Sequence, residues 1–233
     1  MPGGARCRRA RGSEATSSTF APDEEERMAA PNDPLAARPR LGELAGLRRG
    51  TTTGDALAFF DTLPPADVDA IAGRWRGAGL PTGHPLDGVL EALGWVGKRF
   101  DGVRDAHPLV FAAPRGGPFA VDPAFVPLPL VLRCAPLLRR PGVARIVRAL
   151  LPLARTRRPR ARLRTVVHRG VATAAMTYDA LPVEDVFRAV DGDTLLGLME
   201  ARGMERPFFF VLRRAVPIQV PGQPTLPWSS RRQ

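Results

Sequence analysis

Gly73-Arg74-Trp75-Arg76-Gly77 runs on into Ala78-Gly79-Leu80-Pro81-Thr82-Gly83-His84-Pro85-Leu86-Asp87-Gly88. A tryptophan stands between two glycines, each two residues away. Side chains alternate with period two on a strand, so Gly73, Trp75 and Gly77 share one face. Glycine inside a strand marks a bulge, a bend or the close approach of another segment. The stretch predicts a first barrel strand that bends around a buried Trp75.

Downstream, the pattern from residue 161 is plainly β. Residues 163–169, 171–179, 183–190, 194–201 and 207–214 are five runs with short turns, and Asp191-Gly192 is a strong hairpin signal. Short strands at this spacing predict an antiparallel meander closing into a barrel or strongly rolled sheet, because open edges invite aggregation. Residues 95–100, 109–113 and 117–122 are further strands. Leu86, Val89, Leu90 and Leu93 fall at helical spacing, which predicts a helix over 85–93 stopped by Gly94. Upstream, Thr51-Thr52-Thr53-Gly54-Asp55 caps a helix over 54–62, stopped by Leu63-Pro64-Pro65, with a further turn over 66–71.

A short helix leading into a Gly-x-Trp strand is similar to the start of lipocalin-type barrels. That likeness implies a helix plugging one end and a Trp packed beneath a basic residue of the last strand. Here Arg213 or Arg214 is the expected partner of Trp75, a stack worth roughly 0.5–2 kcal/mol. The fold expected is mainly β with short helices: an antiparallel lipocalin-like β-barrel with a helical insertion.

The five opening residues resemble the signature of the bacterial and fungal GXWXG protein family. The resemblance continues through residues 82–88, Leu93-Gly94-Trp95 and Gly97-Lys98-Arg99-Phe100-Asp101-Gly102. From about Arg162 to Arg214 the chain is similar to the domain of unknown function that adjoins it in that family. Tyr178-Asp179-Ala180-Leu181-Pro182, Asp185-Val186-Phe187-Arg188 and Leu195-Leu196-Gly197-Leu198-Met199 carry this part. The resemblance implies a fold and no reaction.

The barrel domain is expected over 51–214: a GXWXG part over 51–122, a helical Arg-rich insertion over 123–160 and a C-terminal meander over 161–214. Residues 1–50 read as a disordered tail, and 215–233 as a Pro-rich one. Asp23-Glu24-Glu25-Glu26-Arg27 precedes Met28, which makes Met28 a candidate translation start; a floppy acidic linker is the rival reading. Cys7 and Cys134 form neither a disulfide framework nor a zinc pattern. No long apolar run and no secretory signal are present, so a soluble cytoplasmic protein is expected.

The net charge of +11 is almost all arginine, with Lys98 the only lysine. GC-rich codons produce such a skew, which weakens the charge as a sign of a partner, and nucleic acid is not expected. The insertion stands apart. No acid lies between Asp122 and Asp179, and eleven arginines lie between Arg133 and Arg164. A helix is expected over about 143–154. It either caps a barrel mouth with solvated arginines or lies on an anionic membrane surface.

His84, His107 and His168 lack metal-ligand spacing, and no serine-nucleophile or phosphate-loop motif occurs, so neither a metal nor a cofactor is expected. Candidate ligand contacts are His84, His168, Tyr178, Asp185 and Arg188. His84 is read as facing the barrel mouth or as capping the next helix. Tyr178 either lines the wall or anchors a turn; Asp185 and Arg188 either line the interior or make ordinary ion pairs. Gly73, Trp75, Gly77, Arg213 and Arg214 are read as structural. The leading functional expectation is a carrier or sensor of a small apolar or lipid-like ligand. The alternatives are an enzyme on the same barrel and a peripheral binder of anionic membranes.

Overall fold

Trp75 and its glycines lie on the first strand of a closed ring. In this computed structural model residues 34–102, 104–113 and 116–215 are described. Ten strands occur among them: β1 (Gly73–Gly79), β2 (Trp95–Asp101), β3 (Asp105–Phe111), β4 (Phe119–Val121), β5 (Arg155–Thr156), β6 (Ala161–His168), β7 (Val171–Tyr178), β8 (Val183–Asp191), β9 (Thr194–Ala201) and β10 (Phe208–Arg214). Eight of them close in the order β1-β10-β9-β8-β7-β6-β3-β2, all antiparallel, and β4 and β5 extend from β3. The barrel has two seams between its N- and C-terminal portions. Five residue pairs join β1 to β10, and two join β3 to β6.

Two glycines allow β1 and β2 to approach. A Cβ on Gly77 would run into the Trp95 ring. Gly97, at φ 146°, lies against the Trp75 carbonyl and leaves no room for a side chain. The register of β2 shifts around Gly97, a bulge that places both Trp95 and Lys98 in the interior despite their odd separation.

Alternation along the meander produces two cores. Phe208, Phe210 and Leu212 face inward with Trp75, Phe100 and Phe187. Phe209 and Val211 face outward with Val186, Leu196 and Leu198. Two helices cover this outer wall: α1 (Pro34–Leu47) and α2 (Thr53–Thr62), through Leu44, Ala56, Phe59 and Phe60. The helix expected as an end plug is therefore an outer buttress. The end is crossed instead by residues 64–71. Thr173 Oγ1 accepts from the Ala66 N–H at 2.9 Å, and the Ala66 carbonyl accepts from the Ala174 N–H at 2.8 Å.

Three local expectations are corrected. Residues 34–47 are helical rather than disordered, while Met28 and residues 216–233 lie outside the described residues. The helix expected over 85–93 shrinks to one turn, α3 (Val89–Ala92), because Gly88 is left-handed at φ 75°. The insertion holds two helices, α4 (Leu128–Leu138) and α5 (Pro141–Leu150), followed by a 3-10 turn over 151–154. Prolines in a first helical turn lose no hydrogen bond, which accommodates Pro129 and Pro141.

Candidate functional site

Three polar side chains meet inside the barrel. Lys98 projects from β2, Tyr178 from the end of β7 and Asp185 from β8, and all three are buried. The Lys98 ammonium donates to Asp185 Oδ2 at 2.8 Å, to the Tyr178 hydroxyl at 3.3 Å and to the Pro108 carbonyl at 3.3 Å. The Tyr178 hydroxyl donates to the same Asp185 oxygen at 3.1 Å. Aromatic rings surround the amine, with Nζ 4.7 Å from the Phe210 centroid and 5.6 Å from that of Trp95.

Burial pushes the Asp185 carboxyl above the ordinary carboxylate range, and the adjacent Lys98 only partly offsets it. Burial, with Asp185 alongside, also holds the Tyr178 phenol well above its usual value. Burying two ions costs several kcal/mol each, so such a pair is often no more stable than an apolar replacement. Stability alone does not account for this cluster. Two buried polar atoms here also lack a partner among the described residues: Asp185 Oδ1 and Trp95 Nε1. Tyr178 thus belongs to the wall rather than to a turn, and Asp185 to the interior.

Next to the cluster the barrel is hollow. A cavity of about 210 Å³ is bounded by Lys98, Tyr178 and Trp95, by Phe208 and Phe210, and by Val183 and Met199. Its far side is the insertion, through Val126, Leu128, Val131, Leu138, Val147 and Leu151. The other end is filled. Trp75 is buried there, donating from Nε1 to the Ile71 carbonyl at 2.7 Å, with the Arg214 guanidinium 4.4 Å above its ring. Arg214 also donates to the Ala70 and Ala72 carbonyls at 2.8 and 2.9 Å. Of the two candidate arginines, Arg214 makes the stack; Arg213 is exposed. Gly73 adopts φ 122°, which suits glycine.

Arg188 is not in the interior. It lies three residues from Asp185, hence on the opposite strand face, buried beneath α2. Its guanidinium sits 5.3 Å from the Phe60 ring and donates to the carbonyls of Leu63 and His168 at 3.2 and 3.3 Å. His168 is likewise on the outer wall, edge-on to Phe60. His84 is buried against Phe208 and does not line the cavity. Its Nδ1 accepts from the Leu86 N–H at 3.1 Å, a capping role in the turn that precedes α3. Burial, aided by Arg206, lowers its pKa to about 4.

Lys98 is the site residue that sequence reasoning passed over. Its signal was compositional: one lysine in a chain whose every other strong base is arginine. No group of three or more His, Cys, Asp or Glu side chains suited to a metal occurs among the described residues.

Fold and cavity together define a closed eight-strand antiparallel barrel with a cavity at one end, covered by the insertion. Residues 58–116 match the family model described as GXWXG protein, and residues 159–214 match a domain of unknown function (DUF4334). The chain belongs to the GXWXG family, with that adjoining domain. A solved structure titled as a protein from Thermomonospora curvata is similar, with 28% sequence identity and a TM-score of 0.56. The similarity covers 77% of this chain and 99% of that one. No curated protein matches.

Proposed function

We propose that the protein binds one small, mainly apolar molecule inside the barrel, as a carrier or sensor. The observation that carries this reading is the hydrocarbon-lined hollow with its one polar cluster at the wall. Apolar cavities of about 150 Å³ accept benzene. The roughly 210 Å³ here suits a compact molecule somewhat larger than that, rather than an extended long acyl chain. Trp95 Nε1, a buried donor with no partner among the described residues, suits a carbonyl or hydroxyl oxygen on such a ligand.

The test is titration with the fluorescent apolar probe N-phenyl-1-naphthylamine, alongside native mass spectrometry of the purified chain. One saturable site is expected, and Leu109→Trp, which fills the cavity, weakens it at least about tenfold. Val167→Ser, exposed near the end of β6 and outside the cavity lining, leaves binding unchanged. Absence of saturable binding, or indifference to Leu109→Trp, removes the proposal.

A second reading, an enzyme, is favoured by one observation: an amine, a phenol and a carboxyl converge at the wall of an apolar cavity. Such convergence is a frequent sign of acid–base or amine chemistry on a carbonyl compound. His84 lies behind Phe208, outside the cavity lining, and has no part in it. Because Lys98 is the only lysine, its amine is testable directly. Incubation with an apolar ketone and borohydride, followed by peptide mapping, is expected to give a reduced adduct at position 98. An unmodified Lys98 refutes amine catalysis.

A further inference from the structure

We infer that the outer surface of the lid, formed by α4, α5 and the short segments flanking them between residues 123 and 158, docks on an anionic lipid bilayer. The two helices have opposed faces. Leu128, Val131, Ala135 and Leu138 of α4 face the barrel, whereas Leu130, Arg133, Leu137 and Arg140 fall at i, i+3, i+7 and i+10 and are exposed. On α5 and the following turn, Ala144, Val147 and Leu151 face inward, and Ile146, Leu150 and Leu153 form an outward stripe. Eight large hydrophobic residues are exposed among the described residues, and six of them lie between Phe125 and Leu153. Apolar side chains exposed singly are ordinary, but a concentration on one structural unit marks an interaction surface.

Charge selects the partner. Arg133, Arg140, Arg145, Arg155, Arg157 and Arg158 are exposed on this unit and form no ion pair among the described residues. Elsewhere on the chain arginines commonly meet acids, as Arg162 meets Asp179, Arg164 meets Glu184 and Arg169 meets Asp61. No acid occurs from residue 123 to 178. Exposed leucine and isoleucine interleaved with unpaired arginine match the boundary between acyl chains and anionic headgroups. A single-stranded nucleic acid would instead call for stacking aromatics among the arginines. Phe125 is the one exposed aromatic on the unit.

Docking in this way would set the lid of the cavity against the bilayer, but it requires no ligand inside and stands apart from the binding reading. The test is co-sedimentation of the full chain with vesicles of phosphatidylglycerol and phosphatidylcholine, against vesicles of phosphatidylcholine alone. Binding to the anionic vesicles is expected, weakening steeply with added salt. Ile146→Asp with Leu150→Asp, and separately Arg133→Glu with Arg145→Glu, each lower the affinity about tenfold or more. Arg162→Glu on the barrel wall changes it less than twofold. The paired substitutions Ile146→Ser and Leu150→Ser, with near-ultraviolet dichroism matched to the parent, separate lost docking from lost fold. No binding, equal binding to both vesicle types, or binding that survives both sets of changes overturns the inference. Capture by a short RNA, unaffected by the Ile146 and Leu150 changes and stronger than capture by vesicles, overturns it as well.

Discussion

Replacing Lys98 by methionine keeps most of the side-chain volume and removes the only cation that touches Asp185 among the described residues. The carboxylate is then left with one donor, the Tyr178 hydroxyl at 3.1 Å, in a site with no solvent exposure. Deleting one partner of a buried pair costs about 3–5 kcal/mol. In a chain of this size 1 kcal/mol shifts Tm by about 2–4 °C, so a fall of roughly 6–20 °C is expected. Burial already raises the Asp185 carboxyl, and loss of Lys98 removes what opposes that rise. The folded state then holds a proton that the unfolded state has released, so stability declines as pH climbs from the ordinary carboxylate range through the folded-state value. The deficit relative to the parent is accordingly smaller in acid and grows as pH rises. Lys98→Met combined with Asp185→Leu removes both charges and regains most of the loss, as apolar replacements of buried pairs often do. Thermal unfolding followed by circular dichroism, at mildly acidic and neutral pH, measures all three variants. A neutral-pH loss below about 1 kcal/mol, the level of an exposed pair, refutes the reasoning. So does a double variant no more stable than the single one.

Gly77→Ala drives a methyl into the Trp95 ring and is expected to cost about 1–3 kcal/mol in chemical denaturation. Gly97→Ala costs more, since it adds left-handed strain to a clash with the Trp75 carbonyl, which cannot yield as a side chain can. Arg214→Met loses the stack on Trp75, about 0.5–2 kcal/mol, together with two carbonyl contacts, while Arg213→Met stays within about 0.5 kcal/mol; urea midpoints separate them. His84 titrates near a pKa of about 4, below its unfolded value, so its contribution is complete above the ordinary histidine range and fades as pH falls through about 4. Proton NMR reads that titration directly, and His84→Gln is expected to flatten the acid limb of the stability curve.

The meander was legible because each of its runs alternates and ends at a turn; β9 spans residues 194–201 both in the sequence pattern and in the structure. The Trp75 environment was legible for the same reason, as a ring flanked by glycine on a strand has few places to go. Asp185 and Arg188 show a rule left unused: an odd separation on one unbroken strand puts them on opposite faces, so both could not line the interior. Lys98 shows the reverse. Counted by twos from Trp95 it points outward, and only the bulge at Gly97 turns it in. Bulges depend on the neighbouring strand, and one strand's residue pattern does not contain them. The helix at 34–47 carries a stripe of Ala37, Leu41, Leu44 and Leu47 at helical spacing, which packs against the outer wall, but Pro39 and the arginines around it obscured the pattern. In the insertion, prolines concealed α4: Pro129 falls in its first turn, where it loses no hydrogen bond, but Pro136 lies inside the helix, where a proline ordinarily signals a break.

The two seams change what the matched segments mean. Cutting between residues 116 and 159 would not yield two modules but two curled ribbons, each with a pair of raw edges and half of a cavity wall. Lys98 would leave with one fragment, Tyr178 and Asp185 with the other. The segments recognised separately are therefore complementary halves of one folding unit. Co-expressed as separate polypeptides, they have a built-in route to reassemble, with the β1–β10 seam as the stronger fastening and the two-pair β3–β6 seam as the one that opens first.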